Sequence, residues 1–309
     1  MSQSTSRLAV LLAGAASLSL LTGCGGSSDD TASDKSSGSA PKVTVVASTN
    51  VYGDIVERIG GDRVDVTSII SDPDQDPHSY EAGTRNQLAL SKAKVVVENG
   101  GGYDDFIDRM LGSGNASADV VNAVEVSGRT APAGEELNEH VWYDFPSVSK
   151  VADRIADALG KADPANAGTF TENAAAFKKS LTALEDKEAA LKSAHDGDGV
   201  AITEPVPVYL LEASGLVNRT PEEFSEAVEE GDDVSAKVLK TTLDLFSGKK
   251  VEALVYNEQT SGAQTEKVKS AAEAAGVPVV PVTETLPAGK DYLTWMNDNV
   301  DALADALNK

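Results

Sequence analysis

Three histidines occur in 309 residues, and two of them lie where a metal ion could be held. His78 sits in "SDPDQDPHSYEAG" (71–83), an acidic run directly after the apolar "VDVTSII". His140 sits in "NEHVWYDFP", after a second apolar run and a loop. Glu204 closes "VAITE", Glu258 closes "EALVYNE", and Glu284 follows "VPVVPVT" at once. Imidazole nitrogens and carboxylate oxygens are donors for divalent cations, and none of these positions offers a thiolate. Each residue alone reads as an ordinary loop histidine or a solvated carboxylate. Their common place at the ends of apolar runs makes them a set of two imidazoles and two or three carboxylates. His195 ends a long helical stretch, where a cation suits the helix dipole, and is read as structural.

These residues need elements to position them. Short runs rich in β-branched residues recur at 43–49, 64–70, 94–100 and 118–124, with helical patterns between or after them at 51–61, 84–93 and 103–112. Strands alternating with helices predict parallel βαβ units. The second half repeats the pattern, with strands at 200–204, 252–258 and 277–283 and four helical stretches. Pro278 and Pro281 place the last of these strands near a sheet edge or give it an irregular end. Between the halves, 146–195 is rich in Ala, Leu, Lys and Glu and is broken once, at Asp163-Pro164. The stretch from Pro164 is predicted as one long helix whose packing face is Phe170, Phe177, Leu181, Leu184 and Leu191. The fold class is therefore α/β: two (β/α) lobes with parallel sheets, joined by a long rigid backbone helix. Ligands of open α/β sheets bind outside the carboxyl ends of the strands, where the histidines and glutamates fall. Two Asp-Pro pairs, Asp72-Pro73 and Asp76-Pro77, restrict the backbone on the approach to His78.

Composition narrows the function. A formal net charge of −23, from 49 acids and 26 bases, argues against nucleic acid, whose phosphates require basic partners. It is compatible with a cationic ligand. A single cysteine, Cys24, excludes a disulfide framework. Arg7 precedes an apolar, small-residue run, Leu8 to Leu21, that ends "LLTGC". This is a secretory signal pattern and resembles the bacterial lipoprotein box, in which the cysteine thiol receives a lipid. The following Gly/Ser/Asp-rich stretch has nothing to build a core from. The expected organisation is a signal peptide at 1–23, a tether at 24–41 attached through Cys24, an N-terminal lobe at 42–163, a linker helix at 164–195 and a C-terminal lobe at 196–309.

The segments "DPHSYE", "EHVWYD", "TEPVPVYLLEASGL" and "VTETLP" resemble, in order and spacing, the four ligand segments of the ZnuA/TroA-like metal-binding lipoproteins of bacterial zinc/manganese ABC importers. The likeness spans about 42–309. It implies two lobes on a rigid helix, with one metal in the cleft between them and His78, His140, Glu204 and Glu284 as ligands. Glu258 stands as the rival to Glu284. Trp142 and Tyr143 are expected to wall the site from water, and Asp144 or Glu81 to orient an imidazole.

Two departures bear on the cargo: the third ligand is Glu where many zinc importers have His, and no histidine-rich loop is present. Two imidazoles with two carboxylates lean toward Mn²⁺, while the Irving–Williams order keeps Zn²⁺ close and Fe²⁺ in contention. The resemblance also implies an ABC permease and its ATPase as partners, a lipid-anchored place on the extracytoplasmic face of the cell membrane, and a monomer. Two other readings use the same residues. A surface metallohydrolase would need an open metal position and a nearby base, and the chain has no HExxH or GxSxG motif. A siderophore- or cobalamin-type binding protein would need a wide aromatic or arginine-lined site, and aromatics make up 5% of the chain. A carrier without catalytic activity is the expectation.

Overall fold

The computed structural model describes residues 41–72, 75, 80–81, 83–112, 114–115, 117–131 and 137–309. Cys24, His78, the signal segment and the tether up to residue 40 lie outside the described residues. Strands β1 (Val43–Thr49), β2 (Val64–Ile70), β3 (Val95–Glu98) and β4 (Asp119–Asn122) form one parallel sheet in the order β2-β1-β3-β4. Strands β5 (Gly199–Ile202), β6 (Val217–Asn218), β7 (Ala253–Asn257) and β8 (Val279–Val282) form a second, in the order β6-β5-β7-β8. The two orders are the same. In each sheet the first and third strands are neighbours at the point where the connections change direction, which is where such sheets open a crevice.

The strands read as nearly continuous apolar runs because helices cover both faces of a parallel sheet. Around the first sheet lie α1 (Asn50–Gly60), α2 (Thr84–Leu90), α3 (Phe106–Leu111), α4 (Ala123–Ser127) and α5 (Phe145–Ala162). The spine is α6 (Ala167–His195), about 44 Å long at ~1.5 Å per residue. The second sheet carries α7 (Val208–Ala213), α8 (Glu222–Glu229), α9 (Ala236–Ser247), α10 (Ala263–Ala275) and α11 (Tyr292–Leu307). Pro41 to Lys309 make one compact unit.

The break at Asp163-Pro164 falls as the sequence indicates: α5 ends at Ala162, a single 3-10 turn follows, and α6 starts at Ala167. All five aromatic and aliphatic positions expected on the packing face of α6 are buried. Burying each such side chain contributes roughly 1.5–3 kcal/mol. Glu188 shares that face, three residues before Leu191 and four after Leu184, and is also buried. Pro281 lies in β8 at the sheet edge, where the missing N–H breaks no internal ladder. The sequence reading missed β6, with two residues, and α8, with eight.

The lobes are tied directly as well as through α6. Asn50 at the start of α1 holds Leu286 at two points, Nδ2 donating to the carbonyl and Oδ1 accepting from the amide, each at 2.9 Å. The Asp54 carboxylate accepts from the Tyr292 amide at 2.9 Å, and Arg58 pairs with Asp291 at 2.6 Å. The Tyr292 hydroxyl donates to the Trp142 carbonyl at 2.7 Å.

Candidate metal centre

His140 begins a 3-10 turn, Val141–Tyr143, that leads into α5. Its ring is fully buried. The orientation comes from Asn138, two residues earlier, whose side-chain carbonyl accepts from the His140 amide at 3.0 Å and meets Nδ1 at 2.8 Å. The Asn138 Nδ2 donates to the Pro205 carbonyl at 3.0 Å, which fixes which end of the amide is oxygen. Nδ1 is then the protonated nitrogen, and Nε2 carries the lone pair a cation needs. Pro205 adjoins Glu204, so one asparagine in the first lobe registers the imidazole against the glutamate loop of the second. The Tyr209 hydroxyl strengthens this seam by donating to the Asn138 carbonyl at 2.6 Å.

The second lobe supplies carboxylates. Glu204 leaves the end of β5, and its oxygens accept from Asn257 Nδ2 at 2.8 Å and from the Thr260 hydroxyl. The same Asn257 Nδ2 lies 2.8 Å from Glu284 Oε1. Asn257 ends β7, the strand beside β5, so the switch point of the second sheet puts the bridging amide next to Glu204. Gln259 braces Glu284 by accepting from the backbone amides of Glu284 and Thr285. Glu204 and Glu284 are each 1% exposed. Glu284 Oε2 lies 3.9 Å from His140 Nε2.

Two buried carboxylates held by one amide repel each other. Burial first, and then the charge of Glu284, push the Glu204 carboxyl up to about 7, against hydrogen bonds from Thr260 and Asn257 and the pull of His140. Burial disfavours a charged His140, but Glu284, Glu229 and Glu139 outweigh it and raise the imidazole above its ordinary value. The cluster thus holds protons near neutral pH in a place built of donor atoms, and a divalent cation would displace them.

The aromatic wall is Trp142 with Tyr103. The Trp142 ring stands edge-on to His140 with centroids 4.9 Å apart, and the Tyr103 ring lies tilted against Trp142 at 4.8 Å and edge-on to His140 at 5.9 Å. Tyr103 arrives through "ENGGGY": Gly100, Gly101 and Gly102 all adopt positive φ, which only glycine takes without cost, and Asp104 accepts from the amides of Asn99 and Gly100. Tyr143 serves the lobe seam. Its hydroxyl donates to the Thr283 carbonyl at 2.8 Å and accepts from Asn299 at 3.2 Å.

Two expectations need correction. Glu258 is exposed. Successive strand residues point to opposite faces, so Asn257 is the member of that pair that enters the site. Asp144 does not orient His140; its carboxylate is held by Arg129 at 2.8 Å and by the Ser147 hydroxyl, and Asn138 has taken the Nδ1. Glu81 is exposed. His195 meets Asp198 at 3.0 Å beyond the end of α6, as a structural residue would. Asn138, Asn257, Tyr103 and Glu229 were missed. Asn138 lies in the same "NEH" as His140, and the Pro221-Glu222-Glu223 start of α8 is a readable helix signal.

Two α/β lobes on one spine helix, with an imidazole from the first and two carboxylates from the second converging in a buried seam, define a bilobal solute-binding protein with a cation-type site. The family described as zinc-uptake complex component A, periplasmic (ZnuA), matches residues 45–306, and the chain belongs to it. It is 28% identical over 273 residues to the manganese-binding lipoprotein MntA of Bacillus subtilis (strain 168), covering 83% of this chain and 82% of MntA. The solute-binding protein FpvC of Pseudomonas aeruginosa, solved with Mn²⁺, superposes with a TM-score of 0.72 at 26% identity, covering 86% of this chain and 98% of FpvC. The periplasmic zinc-binding protein TroA of Treponema pallidum has the same fold, with a TM-score of 0.72 at 22% identity over 86% of this chain and 99% of TroA.

Proposed function

We propose that this chain captures a divalent transition metal, Mn²⁺ or Zn²⁺, between its lobes and delivers it to an ABC permease and its ATPase for import. The observation that carries this reading is the convergence of His140 Nε2 with the buried Glu204 and Glu284 carboxylates, which are linked through Asn257. The ligands are His78, His140, Glu204 and Glu284. The names of relatives and neighbours, manganese-binding for MntA and zinc-binding for TroA, support the class of cargo. The protein carries its metal without transforming it, as a monomer.

The segment 1–23 is a lipoprotein signal, and a lipid on the Cys24 thiol that follows it holds the protein to the extracytoplasmic face of the membrane. Among the described residues no helix is long and apolar enough to cross a membrane. The lobes divide at the spine, 42–163 before it and 196–309 after it.

Elemental analysis of protein purified without added metal, followed by Zn²⁺/Mn²⁺ competition, tests the proposal. One equivalent of metal is expected, and the double variant His78→Ala, His140→Ala loses it. Unchanged stoichiometry and affinity in that variant would overturn the site.

A further inference from the structure

A third carboxylate approaches the same imidazole nitrogen. Glu229 Oε1 lies 3.4 Å from His140 Nε2, nearer than Glu284, and its side chain is 9% exposed. One donor atom each from Glu139, His140 and Glu229 falls within 4.8 Å of the other two. Nδ1 is engaged by Asn138, so Nε2 is the atom that both Glu229 and Glu284 approach.

The helix that brings Glu229 is held at both ends of its last turns. Phe224 is buried in the second lobe's core. The C-terminus of α8 closes in a left-handed turn at Gly231, φ 71, with the Asp232 amide on the Ala227 carbonyl at 2.7 Å and the Gly231 amide on that of Val228 at 3.2 Å. Glu229 therefore sits in the last turn of a helix, where the dipole disfavours an anion. An acid in that place, turned inward beside an imidazole, is stabilised by a cation at Nε2. Glu139 and Glu229 also line a groove of about 1,520 Å³ that carries Glu222, Glu223 and Glu226, so Glu229 meets both the His140 imidazole and this acidic groove.

We propose that Glu229 is a ligand to the captured metal, closing the site on its groove side, and that this third carboxylate biases the site toward Mn²⁺ over Zn²⁺. The inference rests on the metal-carrier reading above. With Glu204 and Glu284 it makes the donor set predominantly oxygen, which suits Mn²⁺, whereas Zn²⁺ is satisfied by four ligands, imidazole among them.

The test is Glu229→Gln, which keeps size and removes charge, with Mn²⁺ and Zn²⁺ affinities measured separately by chelator competition on the full metal-free protein. Mn²⁺ affinity is expected to fall about 10–100-fold and Zn²⁺ affinity by no more than about threefold. The electron paramagnetic resonance spectrum of bound Mn²⁺ should change in the same variant. Unchanged Mn²⁺ affinity, or an equal loss for both metals, overturns the assignment. The parent protein and His140→Ala separate the two readings. If the parent binds neither metal, the carrier reading itself fails. If His140→Ala loses metal while Glu229→Gln keeps both affinities, only the role of Glu229 fails.

Discussion

Glu188→Gln should make the metal-free protein more stable at neutral pH. Glu188 lies on the apolar face of α6, 4% exposed, and its Oε1 has no hydrogen-bond partner among the described residues. Burial first, and then the negative charges of Asp144 and Glu185, push its carboxyl up from 4.5 to about 8. A raised carboxyl pKa means the folded protein keeps a proton that the unfolded chain releases. Stability is therefore full below pH 4.5, falls as pH rises toward about 8, and levels off above that. Holding that proton at pH 7 costs about 3 kcal/mol relative to an ordinary glutamate. Glutamine has the same shape and no proton to hold, so the gain should be about 3 kcal/mol at pH 7 and close to nothing at pH 4. Urea unfolding of parent and variant at both pH values, followed by the fluorescence of the buried Trp142 and Trp295, reads the difference. An equal difference at pH 4 and pH 7, or a variant less stable than the parent at pH 7, refutes the reasoning.

Two further outcomes are expected. Asn138→Ala should weaken metal binding about 10–100-fold by releasing the imidazole from its fixed tautomer, checked by titration calorimetry alongside a circular dichroism spectrum that matches the parent. Metal binding should release protons near neutral pH, because Glu204 is raised to about 7 and His140 is raised as well; both must be deprotonated to bind, so affinity falls as pH drops below 7. Calorimetry in buffers of different ionisation enthalpy counts the protons, and a buffer-independent heat at pH 6.5 would contradict it.

Much of this architecture was legible in the sequence because parallel strands buried on both faces leave continuous β-branched runs, such as "VTVVAST" and "VDVTSII". The spine was legible because Phe170, Phe177, Leu181, Leu184 and Leu191 repeat at helical spacing. Glu204 and Glu284 could be placed because each follows an apolar run directly. What escaped depends on contacts across long stretches of chain. Asn138 matters because it bridges His140 to Pro205 in the other lobe, a pairing no local pattern encodes. Glu188 reads as one more surface acid in a helix rich in Ala, Lys and Glu, unless its step from Leu184 to Leu191 is taken as seriously as its type. Glu258 looked like the donor of β7 because it is charged; strand alternation makes its quiet neighbour Asn257 the one that reaches the carboxylates. The short helix α8 has a mixed surface and one buried aromatic anchor, so its glutamate stood outside the sequence reading altogether.

Each sheet is built from four consecutive strands, and neither borrows one from the other. A ribosome adding roughly 5–20 residues per second therefore releases every strand of the first sheet, and then the spine, many seconds before β8 and α11 emerge. The strands of the first lobe can pair while the second is still unmade, although the core they join runs on through Tyr292, Trp295 and Met296 of α11. Through that interval neither Glu204 nor Glu284 has been translated, and neither has Pro205, whose carbonyl sets the Asn138 amide beside His140. Only the segment that carries α11 follows Glu284, so the cation site is among the last features the nascent chain completes. Metal cannot template the early steps, and its binding energy acts where the two lobes meet.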